Sequence, residues 1–276
     1  MKNTESENIE IQLLLEAIYL KYGYDFRKYA RASIKRRLLH RLSASGLKSI
    51  SEMQHKLLHD TSFFETMLVD FSINVTEMFR DPSFYLALRR DVLPVLKTYP
   101  FIKIWNAGCS SGEEVYSMAI LLQEEVLDNR AQIYATDFNK VILEKAKEGI
   151  FPLDCMRKYS TNYLKAGGKK SLSDYYTAKY DSTIMEKSLK ANVVFADHNL
   201  ATDGVFGEMN LILCRNVLIY FDKDLQNRVF KLFRDSLCHG GFLCLGSKES
   251  IRFSECANDF EDVVKGEVIY RKKFKQ

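Results

Sequence analysis

Three short stretches carry the residues best suited to holding a polar ligand. The first, Asn106-Ala107-Gly108-Cys109-Ser110-Ser111-Gly112-Glu113-Glu114, sets two glycines and small side chains between an apolar run and a helical pattern. Gly108 and Gly112 let a turn and a helix start approach a ligand closely. The spacing is neither GxGxxG nor a P-loop, because no Gly-Lys-Ser/Thr follows. Glu113 and Glu114 in a first helical turn would repel a pyrophosphate and suit a ligand bearing an amino or sulfonium cation; alternatively they only complement the helix dipole. The second stretch ends in Ala135-Thr136-Asp137. An acid roughly 20 or more residues past a glycine turn is where α/β folds grip ribose hydroxyls, although the same Asp could cap the next helix. Together these two stretches point to an adenosine-containing ligand without saying which. The third, Leu211-Ile212-Leu213-Cys214, runs directly into Arg215, Asn216 and Tyr220, where loops after buried strands hold ligands. The alternatives there are a surface ion pair for Arg215 and a core aromatic for Tyr220. The histidines, His40, His55, His59, His198 and His239, are scattered with no cysteine or acid cluster beside them, so no metal site is expected.

The elements that would position these residues follow from hydrophobic period. Residues 8–88 read as helical. Leu13, Leu14, Ala17, Ile18 and Lys21 fit a helical stripe closed by Gly23. Ile34, Leu38 and Leu42 form a second apolar line, with Arg36, Arg37 and His40 on the other side and Gly46 as the stop. Helices over 51–60 and 61–71 follow, and the whole reads as a small helical bundle. From Tyr99 onward the pattern alternates. Strands are expected at 101–107, 132–136, 193–196, 211–214 and 241–245, with helices at 113–125, 140–148 and 225–237. Such alternation implies βαβ units, a parallel sheet and helices on both faces. A last strand near 267–271 would run antiparallel. Residues 152–190, with Gly167, Gly168, Lys169, Lys170 and a tyrosine-rich piece, are too long for an αβ connection of about 2–6 residues and read as an inserted hairpin or small antiparallel subdomain.

The residues also carry a resemblance. Asn74-Val75-Thr76-Glu77-Met78-Phe79-Arg80-Asp81 resembles the N-x-T-x-F-F-R signature that precedes the catalytic domain of CheR methyltransferases. Residues 107–117 (AGCSSGEEVYS) resemble that family's A-x-x-S-x-G-E-E-x-Y-S, and residues 213–222 (LCRNVLIYFD) resemble its C-R-N-V-x-I-Y-F. Met78 stands where the family usually has Phe, a swap that conserves volume. The resemblance covers nearly the whole chain. It implies an α/β, Rossmann-like S-adenosylmethionine-dependent methyltransferase domain (89–276) with a small inserted β-subdomain, preceded by an N-terminal α-helical, substrate-recognition domain (1–88). It further implies that Asn74, Thr76 and Arg80 lie at the cofactor, and that Ala107 and Glu113 meet its methionine portion. Asp137 would hold the ribose, Asn199 and Leu200 would flank the adenine, and Arg215 and Asn216 would close the pocket. Tyr220 would lie near the transferred methyl. The reaction implied is methylation of a glutamate side chain on a chemotaxis receptor, giving a methyl ester and S-adenosyl-L-homocysteine. Arg80 and Tyr220 are the candidates for orienting the incoming carboxylate, because both donate hydrogen bonds. No metal and no general base are called for, since a carboxylate is already ionised at pH 7.

Bulk composition narrows the setting. The chain has 276 residues, 46% hydrophobic and 28% charged, as an ordinary globular protein does. The polar, acidic start does not read as a secretory signal, no apolar run approaches the roughly 18 residues of a membrane span, and six separated cysteines read as reduced thiols. A cytoplasmic protein is expected. The net charge of +4 is unevenly spread: between Asp25 and Glu52 there is no acid, while Arg27, Lys28, Arg31, Lys35, Arg36, Arg37, Arg41 and Lys48 all fall there. Such a field favours an anionic partner, or is simply a solvated helix face. With the resemblance, Arg36 and Arg37 become candidates for recognising the acidic methylation helices in the cytoplasmic domain of a methyl-accepting receptor. Nucleic acid is not expected, as no stacking-aromatic RNA motif is visible. An RNA methyltransferase and a non-catalytic S-adenosylmethionine-binding scaffold stay open as alternatives. The sequence fixes neither the oligomeric state nor whether the inserted segment docks a receptor peptide.

Overall fold

The computed structural model describes residues 2–72 and 76–274. The chain opens with four helices: α1 (Lys2–Tyr22), α2 (Arg31–Ser45), α3 (Ile50–His59) and α4 (Thr61–Phe71). Their ends follow local chemistry. Gly46 closes α2 in the left-handed conformation, and the Ser49 and Asp60 side chains accept N–H bonds at the starts of α3 and α4. The buried stripe of α1 is Leu14, Leu15 and Ile18, while Leu13, expected inside, is 52% exposed. On α2 the buried residues are Ile34, Arg37 and Leu38. Arg37 is therefore not on the outer face where the sequence pattern put it.

A linker leads through α5 (Pro82–Ala87), a π-helical turn (Leu88–Val92) and α6 (Leu93–Leu96) into the sheet. The main sheet contains β1 (Ile102–Ala107), β2 (Ala131–Asp137), β6 (Val193–Asp197), β7 (Met209–Cys214), β8 (Leu237–Leu245), β9 (Phe260–Asp262) and β10 (Ile269–Lys272). Its order is β6-β2-β1-β7-β8-β10-β9. Strands β6, β2, β1, β7 and β8 pair in parallel, and β10 is antiparallel to β8 and β9. The terminal antiparallel strand matches the sequence expectation. Strand β9 had no visible signal, being only three residues long. Helices α7 (Glu113–Glu124), α8 (Lys140–Glu148) and α10 (Lys223–Ser236) make the crossovers.

Two cores sandwich the sheet. Ile104, Leu211 and Leu213 pack with Phe79, Tyr85, Val115 and the inserted segment on one face. On the other, Trp105, Ile212 and Leu243 pack with Phe230 and Phe233 of α10 and join Phe26, Ile34 and Phe71 of the N-terminal helices. The insertion holds helix α9 (Met156–Lys165) and an antiparallel sheet ordered β3-β5-β4, from β3 (Ile150–Pro152), β4 (Tyr176–Lys179) and β5 (Ser182–Met185). Glu124 at the end of α7 fastens it, accepting hydrogen bonds from Tyr163 Oη (2.5 Å), Tyr175 Oη (3.2 Å) and Arg89.

Candidate functional site

Strand order reverses at β1, with β2 on one side and β7 on the other, and the carboxyl ends of such strands are where open α/β sheets bind ligands. A cleft opens there, the place where such folds form ligand sites. The sheet side supplies Gly108, Ser110, Asp137, Asn199, Leu200 and Asn216, and the turn after β7 adds Val217, Tyr220 and Phe221. The helical side supplies Tyr29, Arg37, Phe71 and Ser72. The cleft thus lies between the N-terminal helices and the sheet.

The glycine turn is shaped from within the protein. Gly108 and Cys109 both donate their N–H to Thr136 O at 2.8 Å. Gly108 has φ +78°, and a Cβ there would come 2.7 Å from Val217 Cγ2, so the glycine is required by the approach of the β7 turn. Gly112, φ +97°, is the N-cap of α7, and a Cβ there would stand 3.1 Å from Ala146 Cβ. Asp137 is buried. Its Oδ2 accepts from Ser110 N (3.0 Å) and its Oδ1 from Asn139 N (3.0 Å). Burial pushes its pKa up, and backbone N–H donors oppose that. The cap of α8 is not Asp137 but Asn139, whose Oδ1 accepts from Val141 N at 3.0 Å. Asp137 therefore remains available at the cleft wall, with lone pairs left after its two backbone bonds.

Several residues expected at the ligand make bonds within the protein and do not line the cleft. Glu113 is buried away from the cleft lining, accepting from Ser111 Oγ at 2.7 Å, and burial raises its pKa. Arg215 is neither a pocket wall nor a surface pair: its side chain is buried, 2.8 Å from Glu114 Oε2 and 2.8 Å from Asp81 Oδ2. It also donates to Arg80 O at 3.1 Å and stacks 4.0 Å from the Phe84 ring centroid, clamping the linker to the sheet. Asn106 Nδ2 donates to the other oxygen of Glu114 at 2.9 Å. Ala107, the last residue of β1, is buried behind the glycine turn. Thr76 and Arg80 are half-buried on the linker, outside the cleft lining, and Asn74 lies outside the described residues.

The helical side contributes what the sequence pattern hid. Arg37, 8% exposed, donates to Phe71 O, and its guanidinium sits 5.3 Å from the Tyr220 ring centroid. Burial lowers its pKa. Tyr220 is tied to the same region: its carbonyl accepts from Ala30 N at 2.8 Å, and Tyr29 and Phe221 form a β-bridge. Of the eight neighbouring cations, Arg27, Lys28, Lys35 and Arg41 are ion-paired to Asp25 and Glu16, Asp224, Glu7 and Asp70. Arg36 is exposed, and among the described residues Arg31, Arg36 and Lys48 have no ion-pair partner. Periodicity could not have found Arg37, because a cation on a polar flank reads as solvated. Its only sequence signal is a position one residue before Leu38, on the edge of the apolar stripe.

The lining fits a polar ligand. Arg37 Nη2, His198 Nδ1 and Asn216 Oδ1 are buried without a hydrogen-bond partner among the described residues, and all three belong to residues that line the cleft. His198 Nε2 lies 3.1 Å from Gly204 O, a pure acceptor, so Nε2 carries the proton of that bond and Nδ1 faces the cleft without a partner among the described residues. Buried groups of this kind are normally satisfied, and an adenosine-containing ligand with amino, hydroxyl and carboxylate groups brings both donors and acceptors. No helix of the described residues is long and apolar enough to cross a membrane.

Comparison with known proteins agrees with this geometry. Residues 74–267 match the family model described as the CheR methyltransferase, SAM binding domain, and residues 9–72 match the CheR methyltransferase, all-alpha domain. A Pseudomonas putida protein called Cher3 is 56% identical over 272 residues, covering 99% of this chain and 100% of that one. The chemotaxis protein methyltransferase of Borreliella burgdorferi is 32% identical over 257 residues, 88% of each chain. That of Listeria monocytogenes is 29% identical over 231 residues, 83% of this chain and 85% of that one. The chain therefore belongs to the CheR family of S-adenosylmethionine-dependent methyltransferases.

Proposed function

We propose that the protein methylates glutamate side chains on the cytoplasmic helical domain of a methyl-accepting chemotaxis receptor. The observation that supports this most directly is the pairing of a buried cation, Arg37, with Tyr220 in the same cleft as Asp137. A guanidinium over a tyrosine ring suits an anionic acceptor group, since guanidinium and phenol can both donate hydrogen bonds to a carboxylate. The names of the chemotaxis methyltransferases it resembles point the same way.

S-adenosylmethionine, when bound, supplies an electrophilic methyl group on a sulfonium. Asp137 would hold its ribose, Asn199 and Leu200 its adenine, and Asn216 the remaining polar edge. The acceptor carboxylate is ionised at pH 7, so attack needs no proton removal, and the chain's own task is orientation and exclusion of water. Arg37 and Tyr220 would orient the carboxylate, and Arg80 on the linker stays a further candidate for that task. Tyr29, just ahead of α2, with Arg37 of α2 and Phe71 of α4, would form the wall that keeps solvent from the reacting groups. Exposed Arg31 and Arg36 face outward from the same helix and meet the receptor's acidic surface.

The test uses labelled S-adenosylmethionine with host membranes and with a purified receptor fragment. Base-labile methyl esters that vanish when the receptor's glutamates become alanine are the expected result. Label that is stable to base, or that enters RNA, would replace this reading.

A further inference from the structure

The carboxylate of Glu249 is used by nothing described so far. It follows β8 on the turn Gly246-Ser247-Lys248-Glu249 and is 6% exposed. Among the described residues it has no ion-pair partner, and backbone amides face it. Oε2 accepts from Asn216 N at 2.9 Å and Gly246 N at 2.6 Å. Oε1 accepts from Val217 N at 2.8 Å, Leu218 N at 2.7 Å and, more weakly, Ile219 N at 3.4 Å. A buried, unpaired carboxylate is costly unless its lone pairs are filled, and a nest of successive N–H groups is one of the few ways to fill them.

The amides it gathers are those of the turn that walls the cleft. Asn216, Val217 and Tyr220 all line it, and Asn216 sits at φ +62°, a conformation uncommon for a residue with a side chain. A second observation points to the same turn. A Cβ at Gly246 would stand 2.8 Å from both Asn216 N and Asn216 Nδ2, so only glycine lets the Asn216 amide lie where it does.

We infer that Glu249 is the positioning residue for this wall: its carboxylate holds the Asn216–Ile219 turn before any ligand arrives, which fixes the Asn216 amide and the Tyr220 ring at the cleft. The inference rests on the reading of the cleft as the S-adenosylmethionine site. Glu249 touches no ligand in this account and acts through Asn216 and Tyr220.

The experiment compares S-adenosylhomocysteine binding to wild type and Glu249→Gln by calorimetry, with melting curves alongside. The amide of Gln turns a donor toward N–H groups that need an acceptor. Kd is expected to rise by about tenfold or more, the scale of losing hydrogen bonds to a charged group, with stoichiometry still near one. A Kd within about twofold of wild type, or an unchanged Kd with falling stoichiometry, means that Glu249 only supports the fold and overturns the inference. If the variant does not fold, amide exchange in the ligand-free wild type decides: residues 216–219 should already be protected. Exchange there at the rate of an unstructured peptide until S-adenosylhomocysteine is added would show that the ligand, not Glu249, sets the turn. A wild type that does not bind S-adenosylhomocysteine overturns the cofactor reading itself, whereas a variant matching a wild type that binds overturns this inference alone.

Discussion

Asp137 and Tyr220 occupy opposite kinds of position in the cleft, and substitution should separate them. Asp137 is buried with both oxygens in backbone bonds, so Asp137→Ala removes a ligand acceptor and also frees Ser110 N and Asn139 N. S-adenosylhomocysteine binding should weaken by about 1.5–3 kcal/mol in calorimetry, with a modestly lowered melting temperature because two buried donors lose their acceptor. Wild-type affinity in a folded variant would remove Asp137 from the site. Tyr220→Phe leaves the ring against Arg37 and deletes only the hydroxyl. If that hydroxyl acts on the acceptor group, turnover falls by roughly ten- to a hundredfold while cofactor affinity hardly moves. A collapse of cofactor affinity with turnover intact would make Tyr220 a pocket wall instead. Both residues stand out in the sequence because one ends a buried strand and the other follows one closely, where side-chain type and position together carry meaning. Glu249 does not, and Arg37 is singled out there only as an exposed recognition residue. Each is a charge whose burial depends on elements far along the chain: the carbonyl of Phe71 for one, the amides of the 216–219 turn for the other. Local pattern reads such residues as solvated.

Elements meet this site through close approaches that set which residues are tolerated. The glycine turn after β1 and the turn after β7 touch at Gly108 and Val217, where a methyl on Gly108 would stand 2.7 Å from Val217 Cγ2. Gly108→Ala is therefore both crowded and strained at positive φ, and should lower stability by about 1–3 kcal/mol. Adding Val217→Ala should return only the crowding part, so the double variant melts between Gly108→Ala and wild type. A double variant no more stable than Gly108→Ala would show that φ strain alone matters. The linker is held differently. Arg215 bridges Glu114 of α7 and Asp81, and Arg215→Ala leaves the Glu114 carboxylate with only Asn106. Stability should drop by about 3 kcal/mol, as when one partner of a buried pair is removed, and cofactor affinity should follow only through the displaced linker. Arg215 reads as a ligand residue because it follows a buried strand beside Asn216, and its pairing with Asp81 depends on a tertiary contact that the local pattern does not carry. The parallel strands were readable from their apolar runs. Strand β9 and the exact stripe of α1 were not, since three residues carry no period and Leu13 and Leu14 satisfy the same one.

The whole molecule presents its charge to a partner less broadly than the sequence suggests. Eight cations and no acid fall between Asp25 and Glu52, but folding brings acids from outside that stretch to four of them and buries a fifth, Arg37. Among the described residues Arg31, Arg36 and Lys48 keep no ion-pair partner, and these are the cations that the proposed receptor contact would use. Arg36 and Arg37, adjacent in sequence, should then behave as different kinds of residue. Arg36→Ala touches only an exposed charge, whose work is steering and partner choice, screened over about 8 Å at physiological salt. The KM for a receptor fragment should rise and its salt dependence flatten, with melting temperature and cofactor affinity unchanged. Arg37→Ala removes the bond to Phe71 O and the contact with Tyr220, so it should lower the melting temperature and reduce kcat even at saturating receptor. Lys at position 37 keeps the charge but not the planar fork, and should recover less than half of the lost turnover. Measured across a salt series, the two variants give opposite signatures. If Arg36→Ala leaves KM unchanged at low salt, the exposed patch does not recognise the receptor; if Arg37→Ala changes only KM, its burial against Tyr220 has no part in the chemistry.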